Sequence, residues 1–421
     1  MINKSSIQAV DQSRFGPFTK PLYDSYCFSK IPHTVCALLT GETTNSLPQD
    51  TVQKGDYDFV LVMLLDSFGW KYFEEFAPKY PFLQRFIDEG IASKITSQFP
   101  STTTNHLTSI HTGLSVGQSG LYEWFYYEPL VDACICPLHF SYAKDKSFNT
   151  LTTAGITSEQ IFPFGTIYQK LQKQGIRSVA FQEKDTANSP YSKAMYKGAE
   201  LIGYKHFNEG LSKLAHAING VKEKTYFFFY FGDIDSKGHE FGPDSTEVAA
   251  QIDKCFSRLE KFYQELMSKK QNGCFILTAD HGMAKIDPKS TWFINKKLPH
   301  FADYIKQNKK GDLIVPCGSS RDMFLHIKDE YLDKAYNELS VALAGIAEVH
   351  MTSELISKGF FGPVTDRFMK RVGNLVVIAL GQTPIWWYEE NKDDNPKHGH
   401  HGGLTHAEME SIFLFQLLQN K

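Results

Sequence analysis

Asp58-Phe59-Val60-Leu61-Val62-Met63-Leu64-Leu65-Asp66 is an unbroken apolar run bracketed by carboxylates. Continuous rather than alternating hydrophobicity predicts a strand over Asp58 to Leu65 that is covered on both faces, the pattern of a parallel sheet held between helix layers. Tyr226-Phe227-Phe228-Phe229-Tyr230-Phe231, Ser178 to Gln182 and Cys274 to Thr278 read as further strands, with Ala92 to Phe99 a fifth candidate. Helical patterns lie between most of them, and Trp70 to Glu89 is read as one helix. Short apolar runs alternating with longer helical patterns predict βαβ units, hence an α/β fold with a mainly parallel central sheet sandwiched by helices. The aromatic segment Tyr122 to Phe148 and the region Ser290 to Lys397 fit this rhythm poorly. The expected organisation is therefore an N-terminal extension packed on the core over 1–50, a core over 51–290 with an aromatic insertion near 122–148, a smaller cap or auxiliary subdomain over 291–397, and a return to the core over 398–421.

Composition narrows the function classes. In 421 residues, 44 Lys+Arg stand against 47 Asp+Glu for a formal charge of -3, and this gives no basic face for a nucleic-acid duplex or an anionic membrane. With 42% hydrophobic and 22% charged residues the chain resembles an average globular protein. The longest apolar runs fall short of the roughly 18 to 20 residues that a membrane helix needs. The polar stretch Met1 to Lys30 offers no secretory signal, so the cytoplasm is the expected compartment. Seven scattered cysteines read as packing residues or free thiols, with a disulfide as the alternative. No repeat or heptad speaks to oligomeric state.

In open parallel sheets, ligand sites gather beyond the carboxyl ends of the strands. Three candidate strands end in a carboxylate: Asp66 after Leu65, Asp235 in Asp233-Ile234-Asp235-Ser236-Lys237-Gly238-His239, and Asp280 in Asp280-His281-Gly282. Taken singly, each is a turn former or helix cap. A further cluster, His398-Gly399-His400-His401-Gly402-Gly403-Leu404-Thr405-His406, holds four of the 15 histidines. Three strand-end carboxylates with three candidate imidazoles form a ligand set for two divalent ions, zinc or its first-row neighbour manganese. After the candidate strand Ala92 to Phe99, Thr102-Thr103-Thr104-Asn105-His106 opens a helix. Capping accounts for a threonine there. A hydroxyl nucleophile is the second reading, because a helix N-terminus carries free N–H groups and partial positive charge suited to a phosphate.

Leu64-Leu65-Asp66-Ser67-Phe68-Gly69, the stretch Pro100 to Gly113, Asp235-Ser236-Lys237-Gly238-His239-Glu240-Phe241-Gly242-Pro243, Thr278-Ala279-Asp280-His281-Gly282-Met283 and His401-Gly402-Gly403 together resemble the alkaline phosphatase superfamily, in its branch of type I phosphodiesterases and nucleotide pyrophosphatases. The motifs occur in the family's order and cover most of the chain. The resemblance implies two zinc ions on the edge of an alkaline phosphatase-like α/β sandwich. One would be held by Asp66, Asp280 and His281 and contacted by the nucleophile, the other by Asp235, His239 and His401. The family's nucleophile stands ten residues before the Gly of its Thr-Gly pair, and counting back from Gly113 gives Thr103, which is thereby also a metal contact. Aligning Asn105-His106 with the family's Asn-His pair selects Thr102 instead, at the cost of a gap. In the ungapped frame His106 stands where the family carries an Asn that steadies a phosphoryl oxygen, so His106 or Asn105 takes that role or it is absent. Thr104 replaces the Phe that stacks a nucleobase, while Tyr230 matches the second stacking aromatic.

What the resemblance implies is a two-metal phosphohydrolase acting on a small phosphodiester or nucleotide through a phospho- or nucleotidyl-Thr103 intermediate. The same scaffold supports phosphomonoesterases, phosphonate hydrolases and phosphoglycerate mutases. A metal-containing binding protein that has lost catalysis is the reading from another class.

Overall fold

The computed structural model describes residues 1–269, 271–390 and 397–419. Residues 391–396 of the expected 291–397 unit, and 420–421 of the expected return segment, lie outside them. In chain order, the strands of the three main sheets begin with β1 (Phe59–Leu65), β2 (Ile91–Thr96), β3 (Tyr126–Glu128), β4 (Ala133–Cys136), β5 (Ser141–Tyr142), β6 (Arg177–Glu183) and β7 (Glu200–Tyr204). They continue with β8 (Thr225–Phe231), β9 (Asn272–Thr278), β10 (Asp322–Leu325), β11 (Ala347–Met351), β12 (Leu375–Ala379) and β13 (Glu410–Gln419).

Seven of these form the central sheet in the order β2-β13-β9-β1-β8-β6-β7. β1 pairs in parallel with β8 and β9, β6 in parallel with β8 and β7, and β13 runs antiparallel to both of its neighbours. The sheet is thus mainly parallel, as the sequence predicts. The seven residues of β1 are all buried, and they divide by pleat. Val60, Val62 and Leu64 join one apolar core; Phe59, Leu61, Met63 and Leu65 join the other. That two-sided burial is the physical reason the run is continuous. Helices α1 (Ile31–Thr40), α2 (Trp70–Phe76), α3 (Pro81–Asp88), α4 (Thr103–Thr112), α5 (Asp233–Phe241) and α6 (Thr246–Met267) surround the sheet. α1 and α4 feed the first core, and α2, α3 and α6 the second.

The single helix expected over Trp70 to Glu89 is two. Pro78 sits in a 3₁₀ turn, Ala77–Lys79, and Tyr80, ahead of Pro81, is extended at φ -124 and ψ 117. Proline removes an intrahelical donor and pushes the preceding residue out of the α region, so the apolar periodicity continues across a break in the backbone. β2 also ends earlier than the sequence suggests, at Thr96. Its outer edge is covered by the N-terminal segment, where Asn3 N–H donates to the Ala92 carbonyl (2.8 Å) and the Tyr26 carbonyl accepts from Thr96 N–H (2.8 Å).

The aromatic segment forms the antiparallel sheet β3-β4-β5, and β10-β12-β11 form another with an apolar core of its own. Arg321, just before β10, donates from Nε and Nη2 to the two carboxylate oxygens of Glu408, just before β13, at 3.1 Å each. Both side chains are fully buried. Among the described residues no helix is long and apolar enough to cross a membrane.

Candidate metal centre

Sheet register brings the sequence-distant motifs together. Leu65 pairs with Phe231 and Leu64 with Thr278, so β1, β8 and β9 end level with one another. Asp66 follows β1 directly, Asp280 stands two residues past β9, and Asp235 lies in the first turn of α5 with His239 one turn on. α4 aims its first residue, Thr103, at the same edge, and His401 arrives on the segment leading to β13.

Each imidazole is tethered at one nitrogen. Nδ1 of His281 lies 2.9 Å from the Gly282 carbonyl, Nδ1 of His239 2.8 Å from that of Gly399, and Nδ1 of His401 2.9 Å from that of Ser101. A carbonyl only accepts, so in each case Nδ1–H donates and the Nε2 lone pair is left to face the cluster, the arrangement that orients histidine toward a metal. Nε2 of His281 lies 3.5 Å from Asp66 Oδ1 and 3.4 Å from Asp280 Oδ2. Nε2 of His239 lies 3.4 Å from Asp235 Oδ2 and 3.2 Å from Nε2 of His401, which is 3.5 Å from Asp235 Oδ1.

The carboxylates fit a cation. Asp66 Oδ1, Asp235 Oδ1 and Asp280 Oδ2 are buried with no hydrogen-bond partner, although an unsatisfied buried oxygen is costly. Burial, reinforced by neighbouring carboxylates, pushes Asp280 up to about 7 and Asp235 up to about 8, and holds Asp66 well above the usual carboxylate range. Burial also holds His239 and His401 well below the usual imidazole range, which keeps their lone pairs available. Ligand atoms of Asp66, Asp280 and His281 fall within 4.8 Å of one another, as do those of Asp235, His281 and His401. The first cluster has the expected membership, whereas the second has His281 where the sequence reading put His239; the two clusters share His281, whose ring stacks on His401 at 3.7 Å between centroids.

Of the two candidate threonines, Thr103 reaches the cluster: its Oγ1 is 3.5 Å from Asp66 Oδ2 and 3.2 Å from His281 Nε2. Its neighbours do other things. Nδ1–H of His106 donates to the Thr102 carbonyl (2.7 Å) while Nε2 accepts from Gln98 N–H (2.9 Å), and the ring packs edge-on against Phe28. Asn105 Nδ2 donates to the carbonyls of Pro100 and Tyr122, and its Oδ1 accepts from Gln98 Nε2. Both expected phosphoryl-steadying groups are therefore spent on bracing the turn into α4. Thr104 is fully buried, with its hydroxyl unpartnered. The Tyr230 hydroxyl donates to Asp66 Oδ2 at 2.5 Å, so this residue orients a strand-end carboxylate, a contact that spacing alone does not reveal.

Sequence reasoning also misses Glu123 and Asp322, a fully buried carboxyl pair beside Gly402. Burial pushes Glu123 up to about 8. A lone Glu in the run Leu121-Tyr122-Glu123-Trp124-Phe125 is the signal that marks it.

The family model described as type I phosphodiesterase / nucleotide pyrophosphatase matches residues 60–404. The chain belongs to this family. Among curated members, human ectonucleotide pyrophosphatase/phosphodiesterase family member 5 is 22% identical over 90% of this chain and 72% of its own length. Rat member 7 is 22% identical over 66% of this chain, and human member 7 is 23% identical over the same share. The chain spans less than two thirds of those two relatives, 64% and 61%. An inactive murine member 5 in complex with AMP superposes with a TM-score of 0.64 at 20% identity, over 85% of this chain and 87% of that one. Phosphonoacetate hydrolase from Sinorhizobium meliloti 1021 gives 0.60 at 16% identity over 85% and 89%. At these identities the likeness is one of fold, and it confirms the alkaline phosphatase-like architecture expected from the motifs.

Proposed function

We propose that this family member is a two-metal phosphodiesterase of small diester or nucleotide substrates, with Thr103 as its nucleophile. The observation that carries the reading is the Thr103 hydroxyl at a helix start, 3.2 Å from His281 Nε2 and 3.5 Å from Asp66 Oδ2, amid three unpartnered carboxylate oxygens. Asp66, Asp280 and His281 would hold one ion beside Thr103, and Asp235, His239 and His401 the second, with zinc the preferred metal and manganese the alternative. Bound ions there supply Lewis-acid polarisation of the phosphoryl oxygens and favour the ionised hydroxyl. The protein residues do the rest. The first turn of α4 offers backbone N–H groups to a phosphoryl oxygen, and the Tyr230 hydroxyl holds Asp66 in place. Thr103 Oγ1 gives up its proton to water and forms a bond to phosphorus as the bond to the leaving oxygen breaks, and that oxygen takes a proton from water as it departs. Water then cleaves the Oγ1–P bond from the opposite side, so configuration at phosphorus is retained overall. Of the expected 291–397 unit, residues 291–390 are assigned as the cap over this edge, with Tyr230 on the substrate side; Thr104, expected there too, is fully buried.

Hydrolysis of bis-p-nitrophenyl phosphate against p-nitrophenyl phosphate by metal-loaded protein tests the reading. We expect the diester to be preferred, EDTA to abolish turnover and Thr103→Ala to lower kcat by at least about 10³-fold. Preference for the monoester would move the protein to the phosphatase or mutase side of the superfamily. Full activity in Thr103→Ala would sink the covalent mechanism.

A further inference from the structure

Outside the metal centre, the geometry points to a modification site: Cys134 and Cys317 form a disulfide by exchange with a low-molecular-weight disulfide. The two residues are 183 positions apart, yet their Sγ atoms approach to 3.2 Å. That is within about 1.2 Å of a bond of roughly 2.05 Å. Both residues belong to segments paired with the stretch Phe125 to Glu128: Cys134 on β4 stands opposite Tyr127 on β3, and Gly318, next to Cys317, donates its N–H to the Phe125 carbonyl at 2.7 Å. Among the described residues no other two cysteine sulfurs are in contact; Cys136, two residues along β4, has no such partner.

The environments of the two thiols differ in a way that assigns their roles. Cys134, 9% exposed, lines a cleft of about 330 Å³ together with Lys144 and Lys310, which gives a reagent a way to its sulfur. Cys317 is fully buried. Cys134 therefore meets the reagent first. Its thiolate attacks one sulfur of the external disulfide and expels one thiol, leaving a mixed disulfide. Cys317 then loses its proton and attacks Cys134 Sγ, the mixed S–S bond breaks, and the second thiol leaves. Two protein thiols are oxidised by two electrons and one external disulfide is reduced to two thiols. The staple would fix the segment carrying Ser319, two residues on, whose hydroxyl lies 2.5 Å from Asp322 Oδ1 and 3.2 Å from the His401 carbonyl. The inference does not depend on the two-metal reading, because its readout is covalent.

The test is to treat the folded, full-length protein with oxidised glutathione. We expect the loss of two of seven titratable thiols and of two hydrogens in mass, and a peptide map joining Cys134 to Cys317, all reversed by dithiothreitol. The thermal midpoint should rise by about 5 °C, because the cross-link restricts a long loop of the unfolded chain. Cys134→Ser and Cys317→Ser should each abolish the loss of two hydrogens, and Cys136→Ser should leave it intact. A glutathione adduct that persists on Cys134, a cross-link through Cys136, or seven unchanged thiols would overturn the proposal. The wild-type mass and peptide map decide it even if a variant fails to fold.

Discussion

His106 is gripped at both ring nitrogens by backbone groups, Thr102 O and Gln98 N–H, and burial drops its pKa to about 3, so it stays a neutral strut. Thr103, three residues earlier, is the side chain aimed at the ligand cluster. Side-chain type alone ranks these two the other way, since imidazole is the commoner catalytic group. Replacing His106 by Ala leaves a buried donor and a buried acceptor without their ring partners, each worth about 1–3 kcal/mol. We therefore expect His106→Ala to lower unfolding free energy by roughly 2–5 kcal/mol in urea titrations. Activity per folded molecule should change less than about tenfold, below the roughly 10²–10⁴-fold that a general acid or base contributes. A loss of turnover as large as that of Thr103→Ala, without loss of stability, would return the imidazole to the chemistry.

At the scale of elements, what matters is where each strand stops. β1, β8 and β9 are in register, so residues that follow them share an edge, and α4 and α5 begin there with their N-termini. The segment ahead of β13 must turn sharply to deliver His401, and Gly402 makes the turn at φ +127. A Cβ on Gly402 would sit 2.5 Å from Ser319 Oγ and 2.6 Å from Asp322 Oδ1, and this backbone conformation is one that side chains resist. Gly402→Ala should displace His401 and weaken metal binding by about 10–100-fold, the size of effect seen when ligand support is lost, as read by competition with a chelating dye. Unchanged affinity would mean that His401 is positioned by its Ser101 contact alone. The break between α2 and α3 shows how apolar periodicity and backbone geometry part company: Phe73, Phe76, Phe82 and Phe86 all reach one core, but two prolines forbid a single helix.

For the whole molecule, the metal centre is a concentration of buried negative charge that the fold carries at a cost. Asp280 and Asp235 have folded pKa values of about 7 and about 8 against 3.8 for an ordinary Asp. Below about pH 7 the buried neutral imidazoles, which bind fewer protons folded than unfolded, oppose this effect; above it they are neutral in both states, and the metal-free folded state holds extra protons on these carboxyls, so its stability falls as pH rises. We expect the thermal midpoint of EDTA-treated protein to drop between pH 7 and pH 8, while saturating zinc or manganese raises it, by an increment that grows with pH. A metal-free midpoint that climbs over this range would mean that the carboxylates are balanced by other charges. By itself the sequence determined the mainly parallel sheet, through continuous apolar runs that only two-sided burial explains, and it placed carboxylates and imidazoles at the strand ends, because ligand chemistry is written in residue identity. Only the tertiary structure decided which threonine faces the cluster, that His106 and Asn105 brace rather than face it, that Tyr230 supports Asp66, that Glu123 meets Asp322, and that Cys134 meets Cys317. The reason is physical: those outcomes depend on backbone carbonyls, strand register and contacts between segments up to 199 positions apart, as for Glu123 and Asp322, and none of these leaves a mark in local periodicity.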